Sequence, residues 1–459
     1  MQRFVLFFLL LICFESVAQH EDSSLIRQLA DEILSNGKAY ENLRVLCKTI
    51  GGRLAGSSQM YKAEDWGVKT LKLMGADNVF LQECKVPRWV RGGKDEASII
   101  YNSTSGKPVT SNLDVLALGN SLGTGLKGIK AAVVMINNFD ELDKRKDDIK
   151  GKIVFYNNPF NPRYVLPGQA YGERGIYRRS GPSRAARYGA VAVMIRSLTQ
   201  SVDNNPHTGS TAYDSSLPQI PCVAMGLRDA DNLSRLLLSG QKVTAYLKNK
   251  AQFLTDTVGH NVNCELRGSQ FPEEYITVGG HLDSWDVAEG AHDDGAGCVH
   301  SIEVLRAFKA IGYKPKHTIR VVLFANEENG LRGGTEYAEA AKKNNEKHLF
   351  ALESDNGGFA PRGFSFGMSQ EQIEKVRQWQ PLFLPYGVYE FVGGGGGADV
   401  GPLSRLLKTA VSSFKPDSQR YFDVHHARND VFENVHKREL EMGALNMAAL
   451  IYMIDKYGL

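Results

Sequence analysis

Three apolar runs in the second half of the chain each end abruptly at acidic or histidine residues. Residues 275–280 favour a strand and stop at two glycines, which leaves His281 and Asp283 just past its carboxyl end. Residues 319–325 form an apolar run of the kind buried on both faces of a sheet, followed directly by Asn326, Glu327 and Glu328. Residues 349–352 repeat the pattern before Glu353, Ser354 and Asp355. Between the first two runs, Ile302, Leu305 and Phe308 place an apolar stripe on one face of a helix whose Glu303 and Arg306 face out. Near the N-terminus, residues 22–75 read as helices, with Leu25, Leu29 and Ile33, then Trp66, Leu71 and Leu73, alternating with charges around a Gly-Gly-Arg-Leu-Ala-Gly-Ser turn. From 115 to 250 the character changes to short β-like runs, 131–136, 153–156, 190–195 and 220–225, punctuated by Gly, Pro and Asn. The expected architecture is α/β: a mixed sheet sandwiched by helices, assembled from residues 19–114 and 251–459, with a β-rich unit, 115–250, inserted between them.

In open α/β sheets, residues distant in sequence converge outside the carboxyl ends of the strands. There the chain places His281, Asp293, Glu328 and Asp355, and a fourth stretch, Tyr-Phe-Asp-Val-His-His at 421–426, adds His426. With Glu327 beside Glu328, these residues form the pattern of a two-zinc hydrolase. Imidazole and carboxylate suit zinc, and two ions sharing a site need a carboxylate between them to offset their repulsion. Structural zinc sites are closed and usually rich in thiolate, so this donor set is a catalytic one. Zinc lowers the pKa of bound water from about 15.7 to about 7, and an unligated carboxylate such as Glu327 can carry the proton to a leaving amine. His292 adjoins Asp293; the remaining histidines, with Trp66 and Trp285, read as structural or surface residues.

The runs His-Leu-Asp-Ser-Trp-Asp at 281–286 and Asp-Asp-Gly-Ala-Gly at 293–297 resemble the family of zinc aminopeptidases and glutamate carboxypeptidases. The resemblance covers nearly all of the chain beyond residue 18 and implies residue roles. Asp293 bridges two zinc ions, with His281 and Asp355 on one and Glu328 and His426 on the other. Glu327 is the general base, and Asp283 holds the His281 imidazole in its tautomer and orientation. In the family the last ligand stands four residues before an acid, which Asp430 supplies for His426 rather than for the adjacent His425. Several relatives carry an oxyanion-holding tyrosine where His425 stands, so His425 is a candidate for that contact. Glu353 competes with Asp355 as ligand. The 115–250 unit resembles the protease-associated domain, with Gly189-Ala190-Val191 and Ile220-Pro221 in place; it offers no catalytic residue of its own and either shields the site, supports dimer contacts or selects substrate. A homodimer is also implied.

The rest of the composition narrows the setting. A net charge of +3 is too small to imply nucleic acid. Residues 1–18 read as a signal peptide, with Arg3, an apolar stretch from 4 to 13 and a Ser-Val-Ala cleavage site. That stretch is too short to span a membrane, so a secreted or periplasmic protein is expected. Of six cysteines, Cys13 falls in the leader, and the five others cannot all pair within one chain. Five glycines, Gly393 to Gly397, precede Asp399 and read as a substrate-facing loop with Asp399 as a candidate for a free amine. The expected activity is hydrolysis of dipeptides or short peptides, with aminopeptidase action as the nearest rival. A single-zinc transferase that cyclises N-terminal glutamine and a non-catalytic binding protein are the readings from other classes.

Overall fold

The short apolar runs become strands of two separate sheets in the computed structural model, which describes residues 20–459. The leader expected at 1–18 lies outside those residues. In chain order, β1 (Asn78–Val90) opens the first sheet. The second sheet follows, built from β2 (Glu96–Asn102), β3 (Pro108–Leu113), β4 (Val115–Ala117), β5 (Ile129–Ile136), β6 (Ile153–Tyr156), β7 (Ala192–Arg196), β8 (Cys222–Met225) and β9 (Thr244–Lys248). The chain then returns to the first sheet as β10 (Gln252–Leu266), β11 (Phe271–His281), β12 (His317–Phe324), β13 (Lys347–Glu353), β14 (Pro361–Gly367), β15 (Glu390–Gly393) and β16 (Ala410–Pro416).

The first sheet has the order β1-β10-β12-β11-β13-β16-β14-β15. Its centre, β12-β11-β13-β16, is parallel; β12, β13 and β16 are almost wholly buried, as is β11 from Ile276 onward. Arg320 is the charged exception within β12; it is neutralised by Glu265 and Glu346, each at 2.7 Å. Helices Ala296–Ala310 and Lys437–Tyr457 share one core with the sheet and with the N-terminal helical segments at 20–36, Ala39–Val45 and Ser58–Leu73. This double cover corrects one expectation. Glu303 does not face out but is fully buried, accepting from the Lys38 main-chain N–H at 3.0 Å and from Arg306 at 2.8 Å.

The second sheet corrects two more. It begins at Glu96, so the inserted unit starts some twenty residues before position 115: β2 and β3 pair with each other and with β9, not with the first sheet. Alternation alone cannot say which sheet a strand joins, since β2 would satisfy either. The unit is also less purely β than expected, because helices Pro167–Arg179, Gly181–Arg187 and Leu227–Leu238 flank a parallel centre, β5-β6-β7-β8. The cysteines Cys47, Cys84, Cys222, Cys264 and Cys298 are all buried and unpaired among the described residues. No helix among the described residues is long and apolar enough to cross a membrane.

Candidate metal centre and substrate cleft

The carboxyl ends of β11, β12, β13 and β16 lie side by side and deliver the predicted residues to one place. His281 ends β11, Glu327 and Glu328 follow β12, and Asp355 follows β13. The chain beyond β16 enters the short helix Tyr421–Val424, and His425 and His426 leave it. Asp293 stands in the turn before helix Ala296–Ala310. Its neighbour Asp294 anchors that turn by accepting from the His281 and Gly297 main-chain N–H groups, both at 3.0 Å. Asp430 accepts from the His292 and Asp293 N–H groups at 2.7 and 3.1 Å, so the acid that marked His426 in the sequence also fixes the backbone at Asp293. The buried guanidinium of Arg53, from the Gly-Gly-Arg turn, donates to the carbonyls of Leu282, Glu289 and Gly290 and ties down the loop between His281 and Asp293.

The donor atoms face one another. His281 Nε2 lies 3.3 Å from one oxygen of Asp293 and 3.4 Å from Asp355. The other Asp293 oxygen lies 3.3 Å from His426 Nε2, which is 3.1 Å from Glu328. Asp293 thus belongs to both groups. His281 Nε2, Asp293 Oδ2 and Glu328 Oε1 are buried without a hydrogen-bond partner, a costly arrangement unless a cation takes their lone pairs. Burial pushes Glu327 up to about 8, with Asp355, Asp283 and Asp293 adding to the rise against the field of His281. Burial likewise raises Glu328, reinforced by Asp293. So many acids gathered in one buried cluster ionise together only beside divalent cations, and imidazole with carboxylate is a donor set that suits zinc.

The surrounding contacts orient these donors and revise some assignments. His281 Nδ1 donates to the main-chain carbonyl of Asp283 at 2.9 Å, while the Asp283 carboxylate stands 3.6 Å away. That carboxylate instead accepts from the N–H groups of Glu327 and Glu328 at 3.0 and 3.3 Å. Asp283 therefore positions both the imidazole and the Glu-Glu turn. His426, with its backbone in the left-handed region at φ 62°, directs Nδ1 to the Thr208 carbonyl at 3.4 Å. His425 stacks on it with ring centroids 3.6 Å apart and holds its own Nε2 3.6 Å from Asp293. Glu353 turns away from the cluster and accepts from the Val400 N–H at 2.8 Å. His292, which adjoins Asp293, is structural: Nδ1 accepts from Gly358 and Nε2 donates to Asn434 O, each at 3.1 Å.

Asp399 and the glycine run are not where a substrate-facing loop would put them. Asp399 is fully buried and does not border the cleft. A Cβ at Gly397 would stand 2.0 Å from Glu353 Oε1, so this glycine lets the main chain approach the buried acid. Gly397→Ala is expected to lower unfolding stability by roughly 1–3 kcal/mol. Urea denaturation checks this, and an unchanged midpoint would mean that Glu353 swings clear.

The metal-facing atoms open into a cleft of about 780 Å³. One wall carries Asp293, Glu327, Glu328, Asp355, His425 and His426; the opposite wall comes from the inserted unit, with Tyr171, Arg178, Ser210 and Tyr213. Sequence reasoning missed these four, and the unit does more than shield from a distance. They carry no motif; the packing of helix Pro167–Arg179 against the 421–426 segment brings in Tyr171 and Arg178, and the loop between β7 and β8 brings in Ser210 and Tyr213. Tyr421, at the head of the stretch that carries His425 and His426, also lines the cleft.

Comparison with known proteins agrees with this geometry. Residues 261–451 match the model of peptidase family M28. Carboxypeptidase Q of Mus musculus is 33% identical over 443 residues, covering 96% of this chain and 90% of that protein. A peptidase M28 precursor from Shewanella amazonensis SB2B superposes with a TM-score of 0.88 at 31% identity, covering 95% of this chain and 97% of that one. BSAP, a zinc aminopeptidase from Bacillus subtilis, shares the fold, with a TM-score of 0.63 at 19% identity over 90% of this chain and 94% of its own. With relatives matched over nine-tenths or more of their length and metal-type donors gathered where the strands finish, the protein belongs to peptidase family M28 and is a metallo-exopeptidase.

Proposed function

We propose that the protein is a two-zinc exopeptidase acting on dipeptides or short peptides, with Asp293 as the ligand shared by both ions. The observation that carries this is the position of Asp293, whose two oxygens face His281 on one side and His426 on the other, each at 3.3 Å. Asp355 would complete the first zinc site, and Glu328 the second. Bound there, zinc supplies Lewis acidity that acidifies water and polarises a carbonyl. The Glu327 carboxylate borders the cleft with no hydrogen-bond or ion-pair partner among the described residues. It would take the proton from the attacking water and deliver it to the leaving amine. His425, stacked on His426 at the cleft wall, and Tyr421 beside it with ring centroids 5.0 Å apart, are the donors placed to meet a developing oxyanion. Similarity to carboxypeptidase Q supports release of a terminal residue or dipeptide hydrolysis over general aminopeptidase action, and fits a secreted or periplasmic, dimeric enzyme whose inserted unit is a protease-associated domain.

The test is metal content and turnover on the same sample. About two zinc per chain, with hydrolysis of unblocked dipeptides and none of N-acetylated tetrapeptides lacking a free carboxylate, is the expected result. One zinc with cyclisation of N-terminal glutamine would move the protein to the transferase reading, and no zinc with no turnover to a binding role.

A further inference from the structure

The segment that carries His426 is held from the inserted unit. His425 and His426 are buried, and a buried main-chain carbonyl needs a donor. Among the described residues both of theirs find one across the unit boundary. The Thr208 N–H donates to the His426 carbonyl at 2.9 Å, and His207 Nδ1 donates to the His425 carbonyl at 2.7 Å. A carbonyl only accepts, so the proton of the neutral His207 ring sits on Nδ1. Its Nε2 is left buried without a partner, at a cost that an apolar residue of similar size would avoid. The hydrogen bond to His425 is what sets this ring apart from a filler of space. His207 and Thr208 are themselves anchored in the second sheet. The His207 N–H donates to Ser197 Oγ, just past β7, at 2.8 Å, and Ser197 Oγ donates to the Met225 carbonyl, at the end of β8, at 2.7 Å. Thr208 Oγ1 donates to the Ala117 carbonyl, at the end of β4, at 2.9 Å.

We infer that His207 is a positioning residue for the second metal site, the one that Glu328 and His426 would complete. This rests on the two-zinc reading of the cluster. His426 has φ 62°, a left-handed conformation that a residue with a side chain keeps only where its surroundings hold it. Within its own unit, the His425 N–H donates to Tyr421 O at 2.9 Å and the Ala427 N–H to Val424 O at 3.0 Å. These bonds fix the two ends of the pair, and the carbonyls in between are fixed by His207 and Thr208. A turn of the peptide between His425 and His426 would swing His426 Nε2 away from Glu328 and Asp293, which it faces at 3.1 and 3.3 Å. The first site does not depend on this clamp. His281 ends β11 and Asp355 follows β13, both central strands of the first sheet, and His281 Nδ1 is held by the Asp283 carbonyl of the same unit at 2.9 Å. Loss of the His207 donor should therefore weaken one zinc and spare the other.

The experiment titrates zinc into the metal-free full enzyme against a chelating competitor and reads the two dissociation constants. His207→Leu, which fills the space without a donor, should weaken one zinc by about 10–100-fold, the range for a group that orients a metal ligand, and leave the other within a few-fold of wild type. His207→Asn, whose side-chain N–H can take the place of Nδ1–H, should bring the weakened constant back to within a few-fold of wild type. A ring that merely packs would not be replaced by a smaller amide. Ser197→Ala, which removes the acceptor of the His207 N–H, should shift the same constant in the same direction by less, and covers the case in which the Leu variant does not fold. Wild-type constants in the Leu and Ala variants, or losses at both sites that Asn does not relieve, overturn the assignment while leaving the two-zinc peptidase intact. A wild type that takes up only one zinc overturns the two-zinc reading and this assignment with it.

Discussion

Glu327→Gln is expected to lower kcat by about 10³-fold while leaving zinc content at the wild-type value, since a positioned general acid–base typically contributes 10²–10⁴-fold. The variant is isosteric, and the turn that carries it is held from the main chain: the Glu327 and Glu328 N–H groups donate to Asp283 at 3.0 and 3.3 Å. The side chain itself therefore does not position the loop, and its loss should be confined to proton transfer. Without metal, burial and neighbouring acids push Glu327 up to about 8, so the side chain is mostly neutral near pH 7, and the uncharged Gln should leave the metal-free variant no less stable than the metal-free wild type. Steady-state kinetics with metal analysis of the same sample decide it. Turnover within a few-fold of wild type would remove Glu327 as base, and loss of zinc would make it a ligand instead.

The second large effect belongs to Asp293. Asp293→Ala should leave less than one zinc per chain and no measurable hydrolysis, because one carboxylate serves both donor groups. Its signature in stability separates a ligand from a structural acid. In the wild type, zinc bound to the native state alone raises Tm by mass action, about 2.7 kcal/mol when free zinc is a hundred times Kd. In the variant that rise should disappear, while Tm of the metal-free form stays near the wild-type value, because Asp430 still accepts the N–H groups of residues 292 and 293 and still holds the turn. A variant that retains the zinc-induced rise would show that the two metal groups do not depend on Asp293. One whose metal-free form unfolds would show that Asp293 is needed for the turn itself.

Much of the site was legible in the chain because its chemistry is local. A buried strand announces itself by an apolar run, and a His or acid directly after the run has little choice but to sit at the sheet's carboxyl edge. His281, Glu327, Glu328 and Asp355 all lie where that logic puts them. The failures share a different cause. Glu303 looked exposed because Arg306 and Glu303 punctuate an apolar stripe, yet a second helix and the Lys38 N–H close over that face. Asp399 reads as available because glycines precede it, yet it is fully buried, and Gly397, the last of them, serves close packing against Glu353. The start of the inserted unit was misplaced because β2 carries an alternation that either sheet could use.

Sequence alone thus determined the donor types, the strand ends that present them and the glutamate proposed as proton carrier beside them, since each follows from residue chemistry and a period of a few residues. Tertiary structure decided the rest: that one Asp293 carboxylate faces two histidines 145 positions apart, that Asp283 braces the Glu-Glu turn, and that the inserted unit supplies one wall of the cleft. Those facts depend on which surfaces of remote segments exclude water together. Such packing is set by the sum of many small contacts across the whole chain and leaves no mark in any single window of it.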